Sequence, residues 1–485
     1  MSAPSFVDAL THQVDQRPDA TALWVEGSGA SPTSISWRSL ATAVVRTSFL
    51  LEQRFARDPR QPRRIGHASD NSVVDVAIAL ASIACHAVEI PIDKRIGRSE
   101  IERRFRRVGG HWLDARDRQS IETEIASATK QPTSRADLLK VFTARADQPG
   151  WLDEPSLILW TSGTTGTPQG VTLSQRCLVG NAAAKLSAVP QSQSDRRLTL
   201  LPLSHAYART CDFGTWLLSG CELGLTLGYD AFRRLARQLH PTLVNCVPAI
   251  AYRLLQENPS GLQNLRLLGC GGAPISQQAF EAWKDRGVTV IQGYGLTESG
   301  PVICSATPEN AAPGVVGDFV DGWESRILDG ELSVRGPHTM LHYWNDESAT
   351  WNKIDPDGWL ATGDLVERDE ATQQIRILGR VDDVIVLDSG IKISPSAIER
   401  EVERIAGIEH AMLLGRNGLQ LWIDLAADAD VETVHQTIDE LLSRSKELKA
   451  CSVQQFAPRL AMSSGELTAK GTIRREQIVR NRWSD

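Results

Sequence analysis

Residues 157–172 read LILWTSGTTGTPQGVT, and this stretch restricts the fold more than any other. Leu157-Ile158-Leu159-Trp160 is an apolar run of strand character, and Val171-Thr172 resumes strand-like sequence after a loop of hydroxyls and glycines. Thr161, Ser162, Thr164 and Thr165 offer short hydroxyl donors, and Gly163, Gly166 and Gly170 let backbone amides come close to a ligand. A loop of this make-up suits a polyphosphate, whose anionic oxygens take several N–H and O–H donors at once. It is not the G-x-x-x-x-G-K-[ST] loop that opens a helix in GTPases and ATPases. A plain Ser/Thr/Gly-rich surface turn is the alternative.

At 485 residues the chain exceeds what one core usually supports, so two or more domains are expected. The net charge of −7 argues against a general affinity for nucleic acid. Two stretches concentrate base, Arg54 to Arg64 and Lys94 to Arg107, and their interspersed acids and prolines mark solvated faces. The eight cysteines are scattered without a C-x-x-C pair, as reduced core cysteines are, which fits a reducing compartment. The N-terminal sequence has no basic region followed by an apolar core, so no signal peptide is expected. Val73 to Ile92 is the most hydrophobic segment, but Asp75, His86, Glu89 and Pro91 interrupt it, so a buried helix and strand are expected there. A cytoplasmic protein without an integral membrane segment follows.

Helix-like and strand-like stretches alternate, which predicts α/β architecture. Helices are expected over Phe6 to Gln16 and Arg38 to Phe55, and VVDVAIALASIACHA followed by VEIPID forms a helix-then-strand unit. Similar units are Ala231 to Leu239 with Leu243 to Val247, Ala249 to Glu257 with Leu265 to Gly269, and Ser276 to Arg286 with Val288 to Gln292. From about Gly314 to Leu378 short strands and turns take over. A helix over Ser396 to Ile405, strands at Ala411 to Leu414 and Leu419 to Asp424, and a helix over Val431 to Ser443 then form compact α+β material. The domain boundary is placed near Gly379-Arg380.

Several segments carry chemistry. VTVIQGYGLTESGPV places Tyr294, Thr297 and Glu298 after a strand, where a carboxylate suits Mg²⁺ held with phosphate oxygens and a tyrosine offers a flat face to a base. A strand-loop with a satisfied acid is the alternative. Asp357-Gly358-Trp359-Leu360-Ala361-Thr362-Gly363-Asp364 puts an aspartate where it can accept from a ribose diol, or is an ordinary D-G turn. Gly379-Arg380-Val381-Asp382-Asp383 follows, and GELTAKGTIRRE places Lys470 in a glycine-flanked polar loop.

In this order, TSGTTGxPxG, YGxTE, GWxxTGD and GRxDD resemble the acyl-adenylate-forming superfamily of acyl-CoA synthetases, peptide-synthetase adenylation domains and luciferases. LPLSHAYAR and LGCGGAPIS look closest to the long-chain fatty acid–CoA ligase branch. The resemblance implies a large N-terminal α/β domain over 1–379 and a smaller mobile α+β domain over 380–485, joined by a hinge at Asp382. It implies that Thr161, Ser162, Gly163, Thr164, Thr165 and Gly166 wrap the ATP phosphates, with Thr161 and Glu298 holding Mg²⁺ and Thr297 near the α-phosphate. Gly272, Ala273, Pro274, Tyr294 and Gly295 would form the adenine slot, Asp364 and Arg380 would bind the ribose, and His205 would lie near the acyl carbonyl. As a lone histidine, His205 is as readily structural.

The implied reaction has a carboxylate attack the α-phosphorus of ATP, releasing pyrophosphate, before the thiol of CoA attacks the acyl-AMP. Two anions must meet, which requires cationic screening. The family's small domain turns between the two steps and opens a pantetheine tunnel beside Ser389-Gly390. Two residues depart from the pattern. Gln169 stands where a lysine is usual, and alignment on Ile473-Arg474-Arg475 puts Thr472 where the catalytic lysine is usual, with Lys470 two residues earlier. Lys470 is assigned the catalytic role, because a lysine amine on its flexible stem can be carried to the same point. Transfer to an acyl carrier protein, and a degenerate nucleotide-binding homologue, are the competing readings. The pocket for the acid is expected between Val179 and Thr226 and around Gly295 to Val302, and the acid itself is not legible.

Overall fold

Serine caps set the starts of several helices. Ser5 accepts from the Asp8 N–H at the head of Phe6–Gln16, Ser36 from Ser39 at the head of Trp37–Arg57, and Ser174 from Cys177 at the head of Gln175–Ala188. The computed structural model describes residues 5–26, 32–143, 150–161, 168–387, 391–415, 418–461, 463–467 and 473–483. The apolar run becomes a 12-residue helix, Val73–Ala84, followed by the strand Val88–Asp93. Among the described residues no helix is long and apolar enough to cross a membrane.

The chain forms two compact units, Met1–Glu324 with Val334–Leu360, and Ser325–Ser333 with Ala361–Asp485. The first unit holds a nine-stranded sheet in the order Asp318–Phe319, Cys304–Ser305, Thr289–Tyr294, Leu267–Cys270, Leu243–Cys246, Arg196–Thr199, Glu222–Leu225, Thr21–Val25 and Thr33–Ser36. From Thr289–Tyr294 through Thr21–Val25 all neighbours are parallel, so these strands end on one edge. Ligands of open parallel sheets gather at that edge. A six-stranded sheet runs His342–Tyr343, Gly170–Ser174, Pro155–Trp160, Val88–Asp93, Arg64–Ser69 and His111–Leu113. The helices bury their apolar faces in one large core, where Trp37 stacks on Trp216 at 5.1 Å between ring centroids. Such a pair adds about 0.5–1.5 kcal/mol to the burial of its area.

The second unit has most of a four-stranded sheet, Glu324–Leu328, Glu331–Arg335, Leu360–Arg368 and Ile375–Arg380, and a three-stranded one, Ile408–Gly415, Leu419–Leu425 and Ser452–Gln455. The helix expected over Ser396 to Ile405 is Pro395–Val402, with Pro395 in its first turn, where the missing N–H costs nothing. Val402, Leu413, Leu421, Ile423 and Ile438 form this unit's own core. The large α/β unit and smaller α+β unit agree with the fold class expected from the sequence.

Candidate active site

The phosphate-loop segment joins two strands of a hairpin. Pro155–Trp160 pairs antiparallel with Gly170–Ser174, Trp160 lies opposite Gly170, and the Thr161 N–H donates to the Gln169 carbonyl at 3.0 Å to close the neck. Thr161 is described here, whereas Ser162, Gly163, Thr164, Thr165 and Gly166 lie outside the described residues. At the neck the Arg107 guanidinium donates to the Pro168 carbonyl, with Arg104 and Arg107 over the Trp160 ring. The basic run 94–107, read from sequence as a solvated face, thus also brings cations to this hairpin.

Glu298 sits in a tight turn after Thr289–Tyr294. The Leu296 N–H donates to the Ser299 hydroxyl at 3.0 Å, and a Cβ at Gly295 would meet the Pro301 oxygen at 1.7 Å, so only glycine fits. The Glu298 carboxylate accepts from the Tyr343 hydroxyl at 2.6 Å, and its carbonyl accepts from the Met340 N–H at 2.8 Å. Tyr343 lies opposite Val171, and the Leu341 N–H donates to the Thr172 carbonyl at 2.9 Å. The strand after the turn therefore ties Glu298 to the phosphate-loop hairpin. Sequence reasoning missed Tyr343, although a buried phenol needs a polar partner and the chain has only 5 tyrosines.

Along the shared edge, Leu267–Cys270 leads to Gly272, Ala273 and Pro274, and the adjacent parallel strand ends at Tyr294, which precedes Gly295 and Thr297. The Ser276 N–H donates to the Tyr252 hydroxyl at 3.0 Å, and this pins the first of these segments.

His205 lies on the loop after Arg196–Thr199, with its Nε2 3.8 Å from Asp93 Oδ2. Burial pushes the Asp93 carboxyl up, but hydrogen bonds from Arg95 outweigh it and hold the carboxyl below its usual range. A buried polar frame holds the loop. Asn71 donates to the carbonyls of Leu201 at 2.8 Å and Thr226 at 3.1 Å and accepts from the Leu203 N–H at 2.7 Å. Arg209, just past His205, pairs with Glu89, which also meets His67 Nε2 at 3.1 Å. From sequence Asn71 was not noted, Glu89 was noted only as an acid that interrupts the apolar segment, and Arg209 only as the end of LPLSHAYAR.

In the second unit Asp364 and Arg380 are direct cross-strand partners, with Arg380 Nη1 3.2 Å from Asp364 Oδ1 and 3.1 Å from the Thr362 carbonyl. Gly363 has φ +76°, which favours glycine, and a Cβ there would lie 2.6 Å from the Arg380 guanidinium and push it aside. Asp382 lies 3.5 Å from Arg380 Nη2. Lys470, Ser389 and Gly390 lie outside the described residues. Next to the Lys470 segment, Leu467 bridges Ile473 and the Arg474 N–H donates to the Glu466 carbonyl at 2.7 Å. Arg475 then anchors on Glu399 and Asp383.

Among the described residues no group of three or more His, Cys, Asp and Glu is arranged to hold a metal ion. Glu298 and Thr161 nonetheless supply the hard oxygen donors that Mg²⁺ takes when phosphates and water complete its shell. These residues fit that ion.

The sequence profile of the family described as AMP-binding enzyme matches residues 10–344. The chain is 27% identical over 491 residues to a feruloyl-CoA synthase from Amycolatopsis sp, covering 94% of this chain and 96% of the relative. It is 29% identical over 316 residues to a 4-coumarate–CoA ligase-like protein of Oryza sativa subsp. japonica, covering 60% of this chain and 54% of that one. The solved structure of ATP-bound MatB from Rhodopseudomonas palustris superposes with a TM-score of 0.81 at 22% identity, covering 100% and 99% of the two chains, and shows the fold. The two relatives are named for aromatic acids, and the leaning toward the long-chain fatty acid branch finds no support in them.

Proposed function

The chain belongs to the AMP-binding enzyme family, and on that premise we propose that it activates an aromatic, aryl-alkenoic carboxylic acid with ATP and passes the acyl group to coenzyme A. The observation that carries this reading is the tie between the Glu298 turn and the phosphate-loop hairpin through Tyr343, Met340 and Leu341. It couples a fixed carboxylate to a loop rich in N–H and O–H donors, as a triphosphate site requires. The names of the relatives support coenzyme A as acceptor and an aromatic acid as substrate.

In this reading Thr161 and the five residues after it hold the leaving pyrophosphate, while Asp364 and Arg380 orient the ribose. Thr161 and Glu298 hold Mg²⁺, which when bound draws charge from the phosphate oxygens. Gly272 to Pro274 and Tyr294 flank the adenine, Gly295 admits the tight turn behind it, and Thr297 lies near the α-phosphate. His205 meets the carboxylate that attacks the α-phosphorus, and the acid must approach in line, opposite the departing pyrophosphate. The division at Gly379–Arg380, with Asp382 as hinge, is the place where the small domain turns between adenylation and thiol transfer.

Pyrophosphate release across aryl-alkenoic, benzoic and long-chain fatty acids, with and without CoA, tests the reading. Aryl-alkenoic acids should give the highest kcat/KM. Turnover of fatty acids alone would remove the aromatic assignment, and silence on every acid would leave only the degenerate homologue. A second experiment bears on Glu298. Glu298→Gln should slow pyrophosphate release by about 10²-fold, the usual scale for losing one transition-state electrostatic contact. Tyr343→Phe leaves the carboxylate but frees its orientation, so its chief effect should be a higher Mg²⁺ concentration at half-maximal rate. Wild-type Mg²⁺ dependence in both variants would show that Glu298 does not touch the metal.

A further inference from the structure

Beyond the groups given roles above, a buried chain of charges in the first unit ends on both sides of His205. His67, on the strand Arg64–Ser69, has its Nε2 3.1 Å from Glu89 Oε1 and its Nδ1 3.5 Å from Asp75 Oδ1. Arg118 closes the Asp75 end, donating to Asp75 Oδ1 at 2.8 Å and to Asp70 Oδ1 at 2.7 Å, and Arg209 pairs with Glu89 at the other end. Burial pushes the Asp75 carboxyl up, but His67 and Arg118 outweigh it and hold the carboxyl well below its usual range, so Asp75 stays ionised. Buried ion pairs add little net stability over apolar side chains of similar size, so what this chain holds in place matters more.

What it holds is the loop that carries His205. The second oxygen of Asp75 accepts from the Asp70 N–H at 2.7 Å and the Asn71 N–H at 2.8 Å, with Asn71 at φ +58°. That left-handed backbone is strained for most residues and tolerated by asparagine. Turned this way, Asn71 spans from the six-stranded to the nine-stranded sheet. Its amide nitrogen donates to carbonyls just past two neighbouring parallel strands, Leu201 after Arg196–Thr199 and Thr226 after Glu222–Leu225, and its oxygen takes the Leu203 N–H. At the far end, Glu89 holds Arg209, the first residue of a short π-helix, Arg209–Gly214. Such π-segments are rare and gather at functional sites. Between these anchors the His205 side chain is 55% exposed, while Ser204 and Arg209 are 5% and 3% exposed. An exposed imidazole thus rides on a backbone that one sheet holds at Leu201 and Leu203 and again at Arg209.

We infer that Asn71 and Arg209 are positioning residues for His205, fixed in turn by the Asp75–His67–Glu89 chain. The assignment rests on the reading in which His205 meets the reacting carboxylate, and it names what aims the imidazole. In this role neither residue touches the acid, and each acts through the backbone of the loop. Asp93, from the same sheet, adds a contact 3.8 Å from His205 Nε2. In-line attack tolerates little misplacement, since a shift of about 1 Å can cost about 10²-fold. Freeing one anchor leaves the loop held at a single end, and the imidazole then spends part of its time out of line.

Acid-dependent ATP–pyrophosphate exchange of the full chain, with the best acid of the panel above, tests this in Asn71→Gly, His205→Ala and the double variant. Glycine keeps the left-handed backbone and removes the side-chain bonds to Leu201, Leu203 and Thr226. Asn71→Gly should lower kcat by about 10- to 100-fold, with the KM for ATP within about twofold of wild type. His205→Ala should cost about 10²-fold, and adding Asn71→Gly to it should cost less than about threefold more, because aim no longer matters once the imidazole is gone. A purely structural Asn71 would lower the rate by the same factor in both backgrounds. That result, or wild-type exchange in Asn71→Gly, overturns the positioning role. If Asn71→Gly does not fold, Arg209→Lys, which keeps a cation on Glu89, is measured in the same two backgrounds and decides by the same comparison. Wild-type exchange in His205→Ala would remove His205 from the acid site and overturn the inference with it. Silence of the wild type on every acid would instead overturn the ligase reading.

Discussion

Lys470→Ala is expected to cut acid-dependent ATP–pyrophosphate exchange by at least about 10³-fold while leaving thioester formation from supplied acyl-AMP and CoA close to wild type. Adenylation brings a carboxylate onto a phosphorus already surrounded by anionic oxygens. Charge in that transition state spreads over the entering and leaving oxygens, and a cation held beside them in a water-poor site stabilises it far more than one in bulk water would. The phosphate loop of this chain carries Gln169 in place of a usual lysine, so fewer cations share the load. A single amine then matters more. The second half-reaction breaks an anhydride already formed and needs no cation at the α-phosphorus, so it separates loss of chemistry from loss of fold. Unchanged exchange in the variant would remove Lys470 from the mechanism and turn attention to Arg104 and Arg107 at the hairpin neck.

Local patterns were legible in the sequence because their physics is local. The helix-then-strand unit read at Ala231 to Leu239 and Leu243 to Val247 reappears as Tyr229–Leu239 followed by Leu243–Cys246, as the alternation behind the α/β reading requires. The motif residues Asp364 and Arg380, 16 positions apart, proved to be cross-strand partners, a register that a short strand-turn-strand segment nearly dictates. What stayed hidden joins distant segments. Tyr343 reaches Glu298 across 45 residues, and Asn71 holds Leu201 across 130. No periodicity announces such pairs. The leaning toward fatty acids found no support in the named relatives, for a related reason. It rested on LPLSHAYAR and LGCGGAPIS, two short segments, whereas the wall of a ligand pocket is assembled from several elements distant in sequence. A motif on one wall says little about the opposite wall.

Asp364→Ala should weaken ATP binding by about 30- to 100-fold, which corresponds to about 2–3 kcal/mol. Two losses combine. The carboxylate that would accept from the ribose diol is gone, and Arg380, itself a ribose ligand in the proposed site, loses the partner that fixes its guanidinium over Gly363. The pair is unequally buried, with side-chain exposures of 31% for Arg380 and 9% for Asp364. Removing one partner of a fully buried ion pair costs about 3–5 kcal/mol, so with water reaching the guanidinium about 1–2 kcal/mol of stability is the reasonable expectation here. Arg380 keeps its bond to the Thr362 carbonyl, which limits the damage further. Asp364→Asn separates the two effects, because the amide keeps an acceptor oxygen and similar shape but loses the charge. Its ATP affinity should fall between that of Asp364→Ala and wild type, and its urea midpoint should shift about as far as that of the alanine variant. Both are measured by calorimetric titration and chemical denaturation at a temperature where all three proteins are folded. Wild-type ATP affinity in Asp364→Ala, alongside a lowered denaturation midpoint, would leave Asp364 as a clamp on Arg380 and take it out of the ribose site.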